Sequence, residues 1–328
     1  MFNHLSARFM GRVLAASVAA SVAVPVAVVP PHVAYAEPAP VTGVELGTTI
    51  DQSVAVDSRF DFTDAYTIGL PQLRKVRGQM WDINPPFNGT SLRRAAAEAG
   101  LGTKEAYVNA ATIDPNLSRI AVQRAAEQPV GSLSHLRGKS IGISVATING
   151  RAAHSEIIAY GRLEDAISKM WGHGELDVLK KANGYYKHID GRSNGHLHIM
   201  LDPENRDFGF GEVTITHKGR GHVYSVGVVG GSPFGGAALE KGRKELYLYR
   251  QAREGESPTG LKEYTPHDPA PNVPQDPLPG APDKPKDKPS SDGSSASDPG
   301  MIVGIVVGLL ALLGVLGGLF HSNLMLAP

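Results

Sequence analysis

Phe208-Gly-Phe-Gly-Glu-Val-Thr-Ile215, Lys218-Gly-Arg-Gly221 and His222-Val-Tyr-Ser-Val-Gly-Val-Val229 form the stretch that decides the fold. Two runs rich in β-branched and aromatic residues flank a polar, glycine-spaced joint. That pattern predicts an antiparallel hairpin. Upstream of it the periodicity is helical. Asp114-Pro115 is a helix start, because aspartate accepts free backbone N–H groups and proline sits where its missing N–H is not needed. Leu117, Ile120, Ala121 and Ala125 then share one face, and this helix should run to about Gln128, before Pro129-Val130-Gly131.

Two earlier helices are expected, over Ser91 to Ala99 with Gly100 as its stop, and over Lys104 to Ala111 capped by Thr103. A further apolar stripe, Leu163, Ala166, Ile167, Met170 and Trp171, is interrupted by Gly172-His173-Gly174. It resumes from Glu175 to Ala182 and stops at Asn183-Gly184. Pro85 to Gly89 and Ser134 to Lys139 read as loops, and the alternating Ile141-Gly-Ile-Ser-Val145 predicts a short strand. Glu37 to about Arg59 shows no periodicity and receives no element. Helices first and a hairpin last give an α+β class, helices packed on an antiparallel sheet.

Gly195-His196-Leu-His198-Ile-Met-Leu-Asp-Pro203 carries two of the twelve histidines. In an extended strand His196 and His198 would point the same way. Such a pair is either two ligands for one metal ion or two surface histidines on a solvated face.

The charge is balanced, 32 basic against 32 acidic residues, which leaves no electrostatic footprint for nucleic acid. There is no cysteine, so an exported domain must be held by its core or by a metal. Export is expected from residues 1–36. Arg8 and Arg12 precede an apolar Val13 to Val29, and Ala34-Tyr35-Ala36 is a small-x-small cleavage site. From Pro266 to Gly300 proline recurs among Asp, Lys and Ser, the composition of a solvated linker. Met301 to Phe320 is uncharged and long enough to span a bilayer, so the expected location is the cell membrane, single-pass, with the domain outside. Gly304, Gly308, Ala311 and Gly318 form a small-residue stripe on that segment, which points to a homodimer through the membrane helix.

Several of these residues together carry a resemblance. Asp114-Pro-Asn-Leu-Ser-Arg-Ile-Ala-Val-Gln-Arg-Ala-Ala-Glu127 is followed by Ser134-His135 and by Ser155-Glu156-Ile-Ile-Ala-Tyr-Gly161. Trp171 with Glu175, then Gly195-His196-Leu-His-Ile-Met-Leu-Asp-Pro, then Phe208-Gly-Phe-Gly complete the set. In that order the chain resembles the CAP superfamily of cysteine-rich secretory, antigen 5 and pathogenesis-related proteins, in its cysteine-free bacterial branch. The resemblance implies an α-β-α sandwich with a small antiparallel sheet between helices. The resemblance covers roughly Met80 to Gly230, within an expected domain of 61–253 that follows an unassigned extension 37–60. A linker 254–300, the membrane helix 301–320 and a tail 321–328 follow.

The resemblance also implies a cleft with two histidines and two glutamates. His135 matches the first histidine, although Leu136 departs from the usual following serine or threonine. Glu156 matches the first glutamate, with Ile157 in place of asparagine. Glu175 matches the second glutamate, with Glu164 as its rival because of the Gly172-His173-Gly174 insert. His196 matches the second histidine; His198 has no counterpart. The expected metal is zinc on His135 and His196, with Glu156 and Glu175 holding water or orienting the imidazoles. Two neighbouring carboxylates would themselves favour a cation. No His-Glu-x-x-His and no nucleophile elbow is present, so no catalytic residue is assigned. The expected function is a surface binding module for a protein or lipid ligand. A metal-dependent hydrolase of protein or cell-wall substrates is the rival, and a lipid- or sterol-binding protein the third reading.

Overall fold

The computed structural model describes residues 40–265. The expected signal segment, the linker from Pro266 on, the membrane helix and its dimer stripe lie outside these residues. The described chain is mixed α/β, an antiparallel sheet packed with helices.

Six strands build the sheet: Ser53–Phe60 (β1), Thr112–Ile113 (β2), Ser155–Tyr160 (β3), Asp207–His217 (β4), Arg220–Gly230 (β5) and Lys244–Gln251 (β6). Their order is β6-β1-β4-β5-β3, with β2 pairing β4 in parallel and every other pair antiparallel. The expected hairpin is β4–β5, in register from Asp207↔Gly230 to His217↔Arg220. Its two-residue turn places Lys218 at φ 50° and Gly219 at φ 75°. Left-handed backbone at both central positions matches the right-handed twist of the flanking strands.

The main helices are Leu70–Ile83 (α1), Leu92–Glu98 (α2), Lys104–Asn109 (α3), Pro115–Ala126 (α4), Gly142–Val145 (α5), Leu163–Asp165 (α6), Leu176–Lys181 (α7) and Gly195–Leu201 (α8). A π-helical turn, Ala166–Met170, continues α6. The caps follow the sequence. Ser91 accepts from Arg94 N, and Thr103 accepts from Ala106 N.

Alternation along β4 explains why helices lie where they do. An added Cβ at Gly209 would stand 2.1 Å from the carbonyl carbon of Leu117, and one at Gly211 would stand 2.6 Å from Val122 N. The α4 backbone therefore rests directly on these two glycines. Phe208 and Phe210 point to the other face, where Arg77 of α1 lies over Phe208 and Gly69 approaches Phe210. The core sits on both sides of the hairpin and includes Leu117, Ile120, Val213 and Val226 from one face and Leu73, Met80 and Phe208 from the other.

Asp114 does more than cap α4. Its Oδ1 accepts from Asn116 N and Leu117 N at 2.9 and 3.0 Å, and its Oδ2 accepts from Phe234 N and Gly235 N at 2.7 and 2.6 Å. Asp114→Ala should lower stability by about 1–2 kcal/mol, the upper part of the usual N-cap range. An unchanged urea midpoint would show that neither end of this link carries weight.

Three expectations change. Ile141 to Val145 is not a strand: Ser140–Ile141 pairs briefly with Leu136–Arg137, and the chain then turns into α5. Gly142 passes so close to the Arg124 guanidinium that an added Cβ would stand 2.3 Å from its Cζ, so no side chain fits there while Arg124 keeps its place. His196 and His198 lie on a helix, α8, rather than on a strand. The unassigned stretch up to Arg59 supplies β1, an interior strand between β6 and β4. Its free edge beyond Ala55 is closed by Thr259, whose Oγ1 accepts from Ala55 N at 2.7 Å and whose N donates to Ser53 O at 2.9 Å.

Candidate functional site

The site is built around β3, the strand at one end of the sheet order. Glu156 on β3 registers with Val228 and so faces α4, as Gly209 does. His135, in the loop after α4, places Nδ1 2.7 Å from Glu156 Oε2. A carboxylate can only accept, so Nδ1 carries the proton. The other oxygen, Oε1, accepts from Arg124 Nε at 2.7 Å, and the side chains of Arg124 and Glu156 are both 0% exposed.

This ion pair belongs to a longer buried chain of alternating charge. Arg124 Nη1 donates to Glu127 Oε2 at 2.6 Å, and its Nη2 donates to Ser134 O at 3.1 Å, which fixes the residue before His135. Arg137 pairs with Glu127 on the far side and donates to the carbonyls of Glu45 and Val145. Burial works against the charges on Glu156 and Glu127. Arg124, with His135 at the first and Arg137 at the second, outweighs burial and holds both carboxyls below the ordinary value. Burial likewise disfavours the Arg124 cation, yet Glu156 and Glu127 raise its pKa above the usual arginine range.

The second pair stands on the other helices. Glu175 Oε1 is 2.5 Å from His196 Nδ1, and Glu175 Oε2 accepts from Leu197 N at 2.8 Å. The carboxylate thus orients the imidazole and satisfies a free N–H in the first turn of α8. Trp171 joins this pair to β3. Its Nε1 donates to Ile158 O at 3.2 Å, and its ring stacks on His196 with centroids 6.0 Å apart. Ile158 is two residues from Glu156 along β3, so both histidine–glutamate pairs border one strand.

Glu164, the rival for the second position, accepts instead from Gln72 Nε2 on the surface. His198 lies on another side of α8, because two residues along a helix turn the side chain by about 200°. It stacks on Phe87 at 4.6 Å and meets Asn88 Oδ1 at 2.8 Å. Burial lowers its pKa, against the opposing pull of Asp202.

Two functional features escape sequence reasoning. Arg124 and Glu127 fall among the polar positions of α4, where a solvated face is the ordinary reading, and only the fold reveals them as the partner set of Glu156. The cation expected between the carboxylates is, at Glu156, the guanidinium of Arg124. Among the described residues no three His, Cys, Asp or Glu groups gather around one point.

No protein-family model matches the chain, and no curated protein matches it either.

Proposed function

We propose that this chain is a member of the CAP superfamily, an α-β-α sandwich exported and held to the membrane by Met301 to Phe320. In this reading it is a binding module whose paired histidines take a divalent cation, zinc. One observation carries the reading. Each histidine has Nδ1 committed to its own glutamate, through pairs that both span 21 residues, while the rings stay 22% and 23% exposed. A neutral imidazole held that way has its Nε2 lone pair uncommitted to the glutamate. That is the arrangement by which carboxylates orient metal-binding histidines. His135 and His196 would supply two nitrogen ligands, and water or a group of the bound partner would fill the remaining positions.

The same hydrogen bonds favour binding over hydrolysis. Glu156 is occupied by Arg124 and His135, and Glu175 by His196 and Leu197 N, so neither is free to act as base on a metal-bound water.

Calorimetric titration of the metal-free protein with zinc tests the reading. The His135→Ala, His196→Ala double variant should lose the binding, and Glu175→Gln should weaken it by about tenfold or more. His198→Ala should leave it unchanged. Equal binding by parent and double variant would overturn the assignment.

A further inference from the structure

Residues 42–46 precede β1 and belong to no strand of the sheet, yet every second side chain is buried. Thr42 and Val44 are 0% exposed and Leu46 is buried too, whereas Gly43, Glu45 and Gly47 face solvent. A period of two is that of extended backbone with one side laid inward. Val44 joins the main core. The segment is thus a strap bound into the domain from outside the sheet.

Two routes lead from the strap to His135. In the first, Thr42 Oγ1 donates to Gln123 Oε1 at 2.8 Å. With its oxygen engaged there, the Gln123 amide turns its NH2 group to Glu127 Oε1 at 2.9 Å and to Tyr249 O at 2.7 Å. Glu127 then holds Arg124, Arg124 holds Glu156, and Glu156 holds His135 Nδ1. The second route is shorter. Glu45 O accepts from Arg137 Nη1 at 2.7 Å, and Arg137 stands two residues beyond His135. The same nitrogen donates to Val145 O, so Glu45 supplies one of two carbonyls that set the outer side of this guanidinium. Glu45 is itself pinned: its N donates to Thr147 O at 2.8 Å, and its carboxylate accepts from the Thr147 hydroxyl and from Gly150 N. Gln251 Nε2 fixes the end of the strap by donating to Leu46 O at 2.9 Å.

We propose that residues 42–46 are a positioning strap for His135. Seated, they hold the Gln123–Glu127–Arg124 relay and the Arg137 side of the loop; released, they loosen His135 and leave His196, whose Glu175 is bound to Leu197 N, in place. For cation binding the inference rests on the zinc reading: freeing the strap, as by a cut at its exposed Gly43 or Glu45, would turn a two-histidine site into a one-histidine site.

In the full-length protein, Thr42→Val with Val44→Ala unseats the strap. Thr42→Ser keeps the hydroxyl and should behave as the parent. Glu45→Ala, at an exposed position, loosens the outer pin without opening the core. Gly142 N donates to His135 O at 2.5 Å, so its amide exchange reports the loop directly. Without metal, exchange at Gly142 should rise in the double variant by about tenfold more than at Leu197, and in the same direction in Glu45→Ala. Calorimetric zinc affinity should fall by about tenfold, the usual order for losing a group that orients a ligand. Exchange at Gly142 that is unchanged, or that rises only as much as at Leu197 and in β5, overturns the proposal whether or not zinc binds. Equal zinc affinity in parent and double variant overturns it as well. A parent that binds no zinc ends the zinc reading, while the exchange comparison still decides for or against the strap.

Discussion

Arg124→Met should cost about 3–5 kcal/mol, the usual penalty for removing one partner of a buried ion pair and leaving the other charge behind. Here two carboxylates are left, because Arg124 bridges Glu156 and Glu127. Methionine fills much of the volume but donates nothing. In a urea titration the midpoint should fall by about 1–2 M. The acid response adds a second signature. Glu156 and Glu127 have folded pKa values below their ordinary value of 4.5. A depressed carboxyl contributes stability above its unfolded value and loses it as pH falls through the folded one. The parent should therefore weaken progressively below about pH 4.5, whereas Arg124→Met should gain relative stability there, as its orphaned carboxylates become protonated. A variant that follows the parent at every pH would show that Arg124 does not govern these groups. Loss of Arg124 should also remove one of the three bonds that hold the Ser134 backbone, leaving the two to Gln128 to fix the loop that carries His135.

How much of this was legible depends on where each element finds its partners. The β4–β5 hairpin and α4 were readable because their signals are local: two β-branched runs, a glycine turn, an Asp-Pro cap. Phe208-Gly-Phe-Gly showed its alternation, but the reason for its glycines lies in the α4 backbone, about ninety residues upstream by the numbering. Helix α1 was missed. Its buried face is Leu73, Val76, Arg77 and Met80, correct helical spacing with an arginine where an apolar residue belongs. Strand β1 was missed since Ser, Asp and Arg alternate with its valines and no turn signal bounds it. The four site positions came from the resemblance. Which glutamate serves which histidine did not, because each partner is 21 residues away and joined only by folding. The short spacing of His196 and His198 invited a strand reading; Glu175 under Leu197 N makes the segment a helix and parts them.

The arginine that hid α1 is the basis of the remaining expectation. Arg77 is 0% exposed, and among the described residues its guanidinium forms no ion pair, although the Asp202 carboxylate is near enough to favour its charge. Its guanidinium donates to four backbone carbonyls: Met200 by Nε at 2.9 Å, Tyr107 by Nη1 at 3.4 Å, and Asp202 and Asn205 by Nη2 at 3.1 and 2.7 Å. The rings of Tyr107 and Phe208 lie 5.1 and 5.3 Å from its Cζ. The carbonyls of Met200, Asp202 and Asn205 belong to the end of α8 and the turn after it, groups a helix terminus leaves without partners. Arg77 thus replaces a C-cap and holds α8, and so His196, against α1. Burial opposes its charge and lowers its pKa. That cost is balanced only while all four acceptors are present.

Arg77→Met would remove the desolvation cost but strand the acceptors, which cannot be changed with it because they are backbone. At about 1–3 kcal/mol for each unsatisfied buried group, partly relieved by relaxation, the loss should reach about 3–5 kcal/mol. Arg77→Lys should recover less than half, since an ammonium cannot span acceptors on both sides of the guanidinium plane. Amide hydrogen exchange gives the local readout: protection in α8 should fall further than protection in β5, whose bonds do not involve Arg77. Stability within about 1 kcal/mol of the parent, or uniform loss of protection across both elements, would mean that Arg77 is a passive passenger rather than the clamp on the helix that carries His196.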